Sequence, residues 1–261
     1  MKNFNFKSVT STKEATKLAS GRATFLAGGM TLIPAMKLRL AAYSDLINIK
    51  KIRGISGIKV SSKSIRIGAT TTHAEVAASK EVGKSIPSLA VLADGIGDPQ
   101  VRNRGTIGGS IANNDPAADY PSACLALNAT IHTTKRKIPA DKFFKGMFET
   151  DLKKGELIEA IEFEVPEKSA YAKFPNPASR YALVGVYVAK LKKEVRVAIT
   201  GAGNCVFRSK EIESSLSSNF SPSAIDKVSI SSKGLNSDIH ASAEYRAHII
   251  KVMTRKAVSS C

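Results

Sequence analysis

The residues best suited to chemistry lie in two glycine-rich stretches. In Asp98 to Pro121, Gly105, Gly108 and Gly109 stand among small and hydroxyl side chains, followed by carboxylates that include Asp119. Glycine has no Cβ, so the backbone there can take positive φ and approach a bulky anion with its N–H groups uncovered. Past Ser110 to Asn114, Pro116 stands where a helix can begin, again leaving main-chain N–H groups free for negative charge. Leu26 to Leu40 repeats the design, with an apolar approach, paired Gly28 and Gly29, a hydroxyl at Thr31 and an apolar helical pattern from Ile33 and Pro34. One such stretch alone reads as a turn between strands. Two of them suit a single ligand with two phosphates.

The elements that must position these stretches follow from the hydrophobic periodicity. Asn3 to Ser8, Thr24 to Ala27 and Asp45 to Ile49 read as short strands. Ser11 to Ser20, capped by Ser11 or Thr12, and Ile33 to Leu40 read as helices, which gives a small β-α-β-α-β unit over residues 1–53. Across residues 54–166, strands at Ser64 to Ala69, Ala129 to Thr133 and Leu157 to Val165 mix with helices at Thr72 to Ser79, Pro87 to Ala93 and Pro116 to Asn128. The fold class read from this mixture is α+β. Pro166 to Pro177, with its three prolines, reads as a linker or crossing loop. Residues 167–261 carry a hairpin of Ala182 to Lys190 with Glu194 to Thr200, then helices at Ser209 to Leu216, Ser223 to Ser229 and Ala241 to Val258.

A chain of 261 residues allows two or three subdomains and an ample buried core. No run approaches the roughly 18 apolar residues of a membrane span, and the first residues lack the apolar segment of a secretory signal, so a cytoplasmic location is expected. The net charge of +17 raises nucleic acid as a partner. However, Lys and Arg are dispersed, with only short clusters near Lys50, Lys135 and Lys190, and aromatic residues do not interleave with them. A solvated basic surface, or one facing an acidic partner subunit, fits better than a nucleic-acid groove.

Cys124, Cys205 and Cys261 are odd in number and widely spaced, which argues against both a disulfide framework and a protein-held iron–sulfur cluster. Cys124 is expected in the core. His73, His132, His240 and His248 show no ligand spacing, so no metal is assigned. Gly201-Ala-Gly203-Asn204-Cys205-Val206 follows a strand, but Val206 replaces the third glycine of a dinucleotide fingerprint and Asp226 lies too far on for its ribose-binding acid. That segment reads as a strand-ending turn, and hydride transfer from a nicotinamide is not supported.

Taken together, Leu26-Ala-Gly-Gly-Met-Thr-Leu-Ile-Pro-Ala-Met-Lys37 and the stretch from Asp98-Pro-Gln-Val-Arg through Thr106-Ile-Gly-Gly-Ser110 to Asp119-Tyr-Pro121 resemble the two FAD-binding motifs of the xanthine dehydrogenase family. The resemblance is nearest to the medium, flavoprotein subunit of aerobic carbon monoxide dehydrogenase type molybdenum hydroxylases, and it runs from Phe4 to Tyr245 and Arg246. It implies two FAD-binding subdomains of the vanillyl-alcohol oxidase (PCMH-like) type, followed by a C-terminal α+β domain of the carbon monoxide dehydrogenase flavoprotein type. It also implies a set of site residues. Ala27, Gly28, Gly29, Met30 and Thr31, within a wider loop that includes Leu26, Leu32 and Ile33, match the segment that wraps the FAD pyrophosphate. Thr106, Ile107, Gly108, Gly109 and Ser110 match the second segment, and both are expected to act largely through main-chain N–H groups. Asp119 falls where the family places a carboxylate near the ribityl chain or ring. Leu152 matches an apolar residue on the adenine side, Lys173 a lysine near the flavin, and Tyr181 the residue that covers the isoalloxazine face.

The chain departs from the family pattern at Met30, where His or Thr is common, at Thr31, where Ser or Asp is usual, and at Ser110, where Asn or Asp often stands. Arg180 replaces what is often an acidic residue in the carbon monoxide oxidising members. The activity implied is electron relay. A large molybdopterin-binding subunit hydroxylates the substrate, a small subunit with two-iron two-sulfur clusters carries electrons, and FAD in this chain passes them to a quinone, NAD or another carrier. A dimer of heterotrimers, with no membrane span but with peripheral contact to an electron acceptor, is expected on the same ground. Two alternatives stay open at this point: an autonomous FAD-dependent oxidoreductase and a basic nucleic-acid-binding protein.

Overall fold

The structure, a computed structural model, describes all residues 1–261. The first unit runs β1 (Asn5–Ser8), α1 (Thr12–Leu18), β2 (Ala23–Leu26), α2 (Leu32–Lys37) and β3 (Asp45–Asn48), with the strands parallel in the order β1-β3-β2. Ser11 caps α1 by accepting from the Glu14 N–H. Ile47, Ile49, Ile52 and Leu157 close its small core.

The second unit begins with β4 (Ile58–Val60) and β5 (Ser64–Gly68). A run of short helices follows: α3 (His73–Ala78), α4 (Lys80–Ser85), α5 (Pro87–Asp94), α6 (Pro99–Arg104), α7 (Ile107–Asn113) and α8 (Tyr120–Ala126). The chain then returns through β6 (Thr130–Thr133), β7 (Lys137–Pro139), α9 (Ala140–Phe143), the hairpin of β8 (Phe144–Gly146) with β9 (Glu149–Thr150), and β10 (Ile158–Glu164). Its antiparallel five-stranded sheet has the order β4-β5-β10-β6-β7. Alternation in β5 turns Ile65 and Ile67 into the core, against the helices.

The third unit is the antiparallel sheet β11 (Lys168–Pro175), β12 (Ala182–Lys190), β13 (Val195–Thr200) and β14 (Phe207–Arg208), with α10 (Lys210–Ser218), a 3-10 turn at Pro222–Ile225 and α11 (Ala243–Ser259). Both faces of β12 are covered. Val184, Val186 and Val188 pack under α11 in a core that α10 also joins, while Tyr187 and Ala189 join the largest core beside Leu89, Tyr120 and Cys124. This double burial explains why β12 reads as a near-continuous apolar run.

Three expectations are corrected. Pro166 to Pro177 is not a linker, because β11 occupies most of it and pairs with β12 from Lys168 to Pro175. Pro166 and Pro177 flank the strand and Pro175 ends it at a register shift, and its inward residues, Ala170 and Ala172, are too small to announce a core face. The stretch around Gly105 to Ser110 is not an open turn but the junction of α6 and α7. The helix expected at Ser223 to Ser229 is only the 3-10 turn. The Gly201 segment is a turn that leads from β13 to β14.

Candidate functional site

β2 delivers the chain into Ala27 to Thr31, which no regular element claims before α2. Four consecutive main-chain N–H groups, those of Gly28, Gly29, Met30 and Thr31, donate to no acceptor in the protein. Gly28 and Gly29 are half-buried and Met30 and Thr31 exposed, so this row of donors at the start of α2 is open to an anion. Gly29 permits it with φ +78. The Thr31 side chain makes no capping bond to α2, and Met30 is exposed. Leu26, Leu32 and Ile33 are partly buried around the loop, and the Ile33 N–H closes on the Gly29 carbonyl at 3.0 Å.

The second stretch reaches this loop. A methyl group on Gly28 would lie 2.2 Å from the Arg104 carbonyl oxygen and 2.8 Å from Gly105 Cα, so the two segments touch backbone to backbone. Asp98 caps α6 by accepting from the Val101 N–H at 2.8 Å, and Thr106 caps α7 by accepting from the Gly109 N–H at 3.2 Å. The main-chain donors of this segment are mostly engaged within the protein. Ile107 donates to Thr71, Gly108 to Ala69 and Ser110 to the Thr106 carbonyl. The glycines therefore serve close packing rather than positive φ: a Cβ on Gly105 would press on the His73 ring at 2.6 Å, and one on Gly108 on Ala69 at 2.5 Å. The reading that both segments offer free amides holds for the first alone. The second offers the side chain of Ser110, which makes no hydrogen bond to the protein, and the seat against which the first loop rests.

His73 underlies that seat. Its ring lies 5.3 Å from that of Tyr120, and burial, with Arg102 adding to it, lowers its pKa to about 4 from 6.5. The unfolded chain thus binds more protons between these values, so the neutral ring's contribution is complete above about pH 6.5 and is lost as pH falls toward 4. The difference amounts to about 3 kcal/mol. Urea denaturation across this pH range should show that loss in the wild-type chain and a flatter profile in His73→Gln.

Asp119 precedes α8, yet its carboxylate makes no capping bond. It is buried instead beneath β11, where Tyr171 donates its hydroxyl to Oδ1 and Lys173 Nζ approaches the same oxygen at 3.0 Å. Burial raises the Asp119 pKa, and Lys173 and Tyr171 oppose the rise. Lys173 also donates to the Gly95 carbonyl at 2.7 Å. Arg102 donates to the carbonyls of Ile96 and Gly97, and Arg180 to that of Gly97, so cations hold the carbonyls of Gly95, Ile96 and Gly97. Arg180 has φ 62, and the tight turn from Asn176 leaves Tyr181 half-exposed beside Asp115 and Asp119, which, after burial, push its phenol up.

Two groups are thus assembled: Gly28 to Thr31 on the Gly105 seat, and Asp119 with Lys173 and Tyr181. Leu152 joins neither. It packs on the main core in the loop after β9, and the link is indirect, through Asn114, whose side chain at the end of α7 donates to the carbonyls of Gly146 and Glu149. Sequence reading missed Tyr171. It lies two residues before Lys173 and so shares its face of β11, a signal hidden once the segment is read as a linker.

Residues 2–167 match the family described as the FAD binding domain in molybdopterin dehydrogenase. The chain is 36% identical to the glyceraldehyde dehydrogenase medium chain of Sulfolobus acidocaldarius, over 97% of this chain and 96% of that one. It is 32% identical to the carbon monoxide dehydrogenase medium chain of Hydrogenophaga pseudoflava, over 91% and 88% of the respective chains. Among solved structures, it superposes on a chain of reconstituted CO dehydrogenase from Oligotropha carboxidovorans with a TM-score of 0.92 and 29% identity, covering 99% of this chain and 97% of that one.

Proposed function

This chain belongs to the family of FAD-binding domains of molybdopterin dehydrogenases, and on that premise we propose that it is the flavin-holding relay subunit of a molybdenum hydroxylase complex. The observation that carries the proposal is the row of free N–H groups from Gly28 to Thr31, seated against Gly105. Their number suits a diphosphate, and backbone donors need no particular side chain at Met30 or Thr31. Thr106 to Ser110 would hold the second flank, chiefly through Ser110 and the rigid backing of Gly108 and Gly109. Asp119 and Lys173 would meet the ribityl chain or ring, Tyr181 would cover a ring face, and Leu152 would lie on the adenine side.

Bound FAD supplies the redox chemistry, taking electrons from one carrier and giving them to another. The chain's part is to bind the nucleotide, orient the ring and fix the charges beside it. The medium-chain names of the relatives support a larger and a smaller partner chain. We read these as a molybdopterin-binding chain and a two-iron two-sulfur chain, in a dimer of heterotrimers, with a quinone, NAD or another carrier as acceptor. The PCMH-like two-subdomain fold, with boundaries near residues 53 and 166, accords with a parallel first sheet and an antiparallel second one. No helix is long and apolar enough to cross a membrane.

Titration of the purified full chain with FAD tests the reading. The protein should take up flavin and show its visible bands while turning over no substrate by itself. A chain that is colourless once unbound FAD has been removed overturns the proposal, and substrate turnover by the chain alone would favour an autonomous oxidoreductase.

A further inference from the structure

Resting on the FAD reading of this site, we propose that Tyr171 is a positioning residue: its hydroxyl fixes the Asp119 carboxylate against the Lys173 ammonium and so sets the charge presented to the flavin. The hydroxyl is held from several sides. The Tyr171 ring pairs across the strands with Tyr187 at 5.8 Å, and Tyr187 is itself anchored by Ser88 at 2.6 Å. The slot that admits the hydroxyl exists because residue 185 is glycine, since a Cβ there would stand 2.4 Å from the Tyr171 oxygen. Tyr171 and Lys173 converge on one oxygen of Asp119, and Lys173 spends a second donor on Gly95. An ammonium has three N–H donors, so one is left for a ligand.

Water is a poor substitute for the hydroxyl here, because Asp119 is 5% exposed and the Lys173 side chain 11%. The ionisable groups that face the carboxylate are Tyr171 and Lys173 from β11, Tyr120 from α8, and Tyr181 from the turn before β12, whose phenol also lies near Asp115. Arg102 and Arg180 are committed to the carbonyls of the loop after α5. Removing the Tyr171 hydroxyl takes a donor from the charged form of the carboxylate, which then accepts a proton at higher pH. Protonation leaves Lys173 without a counter-charge, and the added positive charge favours the reduced ring. The flavin midpoint potential should therefore rise.

Tyr171→Phe keeps the ring and deletes only the hydroxyl. Two measurements on the full chain test it: the Asp119 carboxyl titration by carbon-13 NMR without FAD, and the flavin midpoint potential from about pH 8 to about pH 6 with FAD bound. The carboxyl titration should move up by about one pH unit, a tenfold change in proton affinity. The potential should exceed that of the wild type by more as pH falls. Gly185→Ala, which keeps the tyrosine but crowds its hydroxyl, should shift both in the same direction and serves if Tyr171→Phe does not fold. Wild-type profiles in folded, FAD-loaded variants overturn the role of Tyr171 and leave the FAD reading intact. A wild-type chain that takes up no FAD overturns that reading, and this inference with it.

Discussion

Gly28→Ala lowers FAD affinity by at least about a hundredfold and destabilises the chain by about 1–3 kcal/mol. The new methyl meets the Arg104 carbonyl carbon and oxygen and Gly105 Cα, all main-chain atoms, so no rotamer change relieves the overlap. The first loop must lift from its seat, and with it the free N–H groups from Gly28 to Thr31. Gly83→Ala is the control. It lies inside α4 with nothing near its absent side chain, and replacing a helical glycine should leave stability unchanged or raise it by up to about 1 kcal/mol. Fluorescence titration with FAD and thermal melts of both variants make the comparison. Undiminished affinity in a folded Gly28→Ala chain would mean that the contact between the two stretches has no part in holding the nucleotide.

Asp141→Ala is expected to cost about 3 kcal/mol, although it changes a half-exposed residue far from the cradle. Its two oxygens lie 2.5 and 2.6 Å from Arg196, whose side chain is 2% exposed near the start of β13. Without Asp141 that buried cation keeps only Asn128, at 2.5 Å, and Glu194, at 3.4 Å, and its Nε already has no partner. Arg196→Met should cost less, because the carboxylate it strands can turn to water while the methionine fills the space. The double variant should recover much of the loss. Urea denaturation of all three chains checks the order, and equal stability of Asp141→Ala and wild type would show that the guanidinium is well solvated after all.

The strands of the first unit and the long helix near the end were legible because their apolar residues are large and periodic. Ile47, Ile49, Ile249 and Ile250 announce a buried face. Segments whose inward residues are alanine or glycine were not legible. Ala170 and Ala172 hid β11, and with it Tyr171, whose partnership with Asp119 spans 52 positions. At Gly105, Gly108 and Gly109 the residue type was read correctly as special but for another reason, since the need is for close approach to His73, Ala69 and the Thr106 hydroxyl rather than for a left-handed turn. Which amides remain free depends on long-range bonds such as Gly108 to Ala69, which no local pattern encodes.

Tyr171 and Lys173 project from a strand whose sheet shares apolar packing with the middle unit through Tyr187, Ala189 and Ala198. A wall built in this way is tied to the middle unit by a shared core. Such shared packing keeps the Tyr171 and Lys173 side chains in register with Asp119 of the middle unit, so the charges of this pair are fixed by the fold before any ligand arrives.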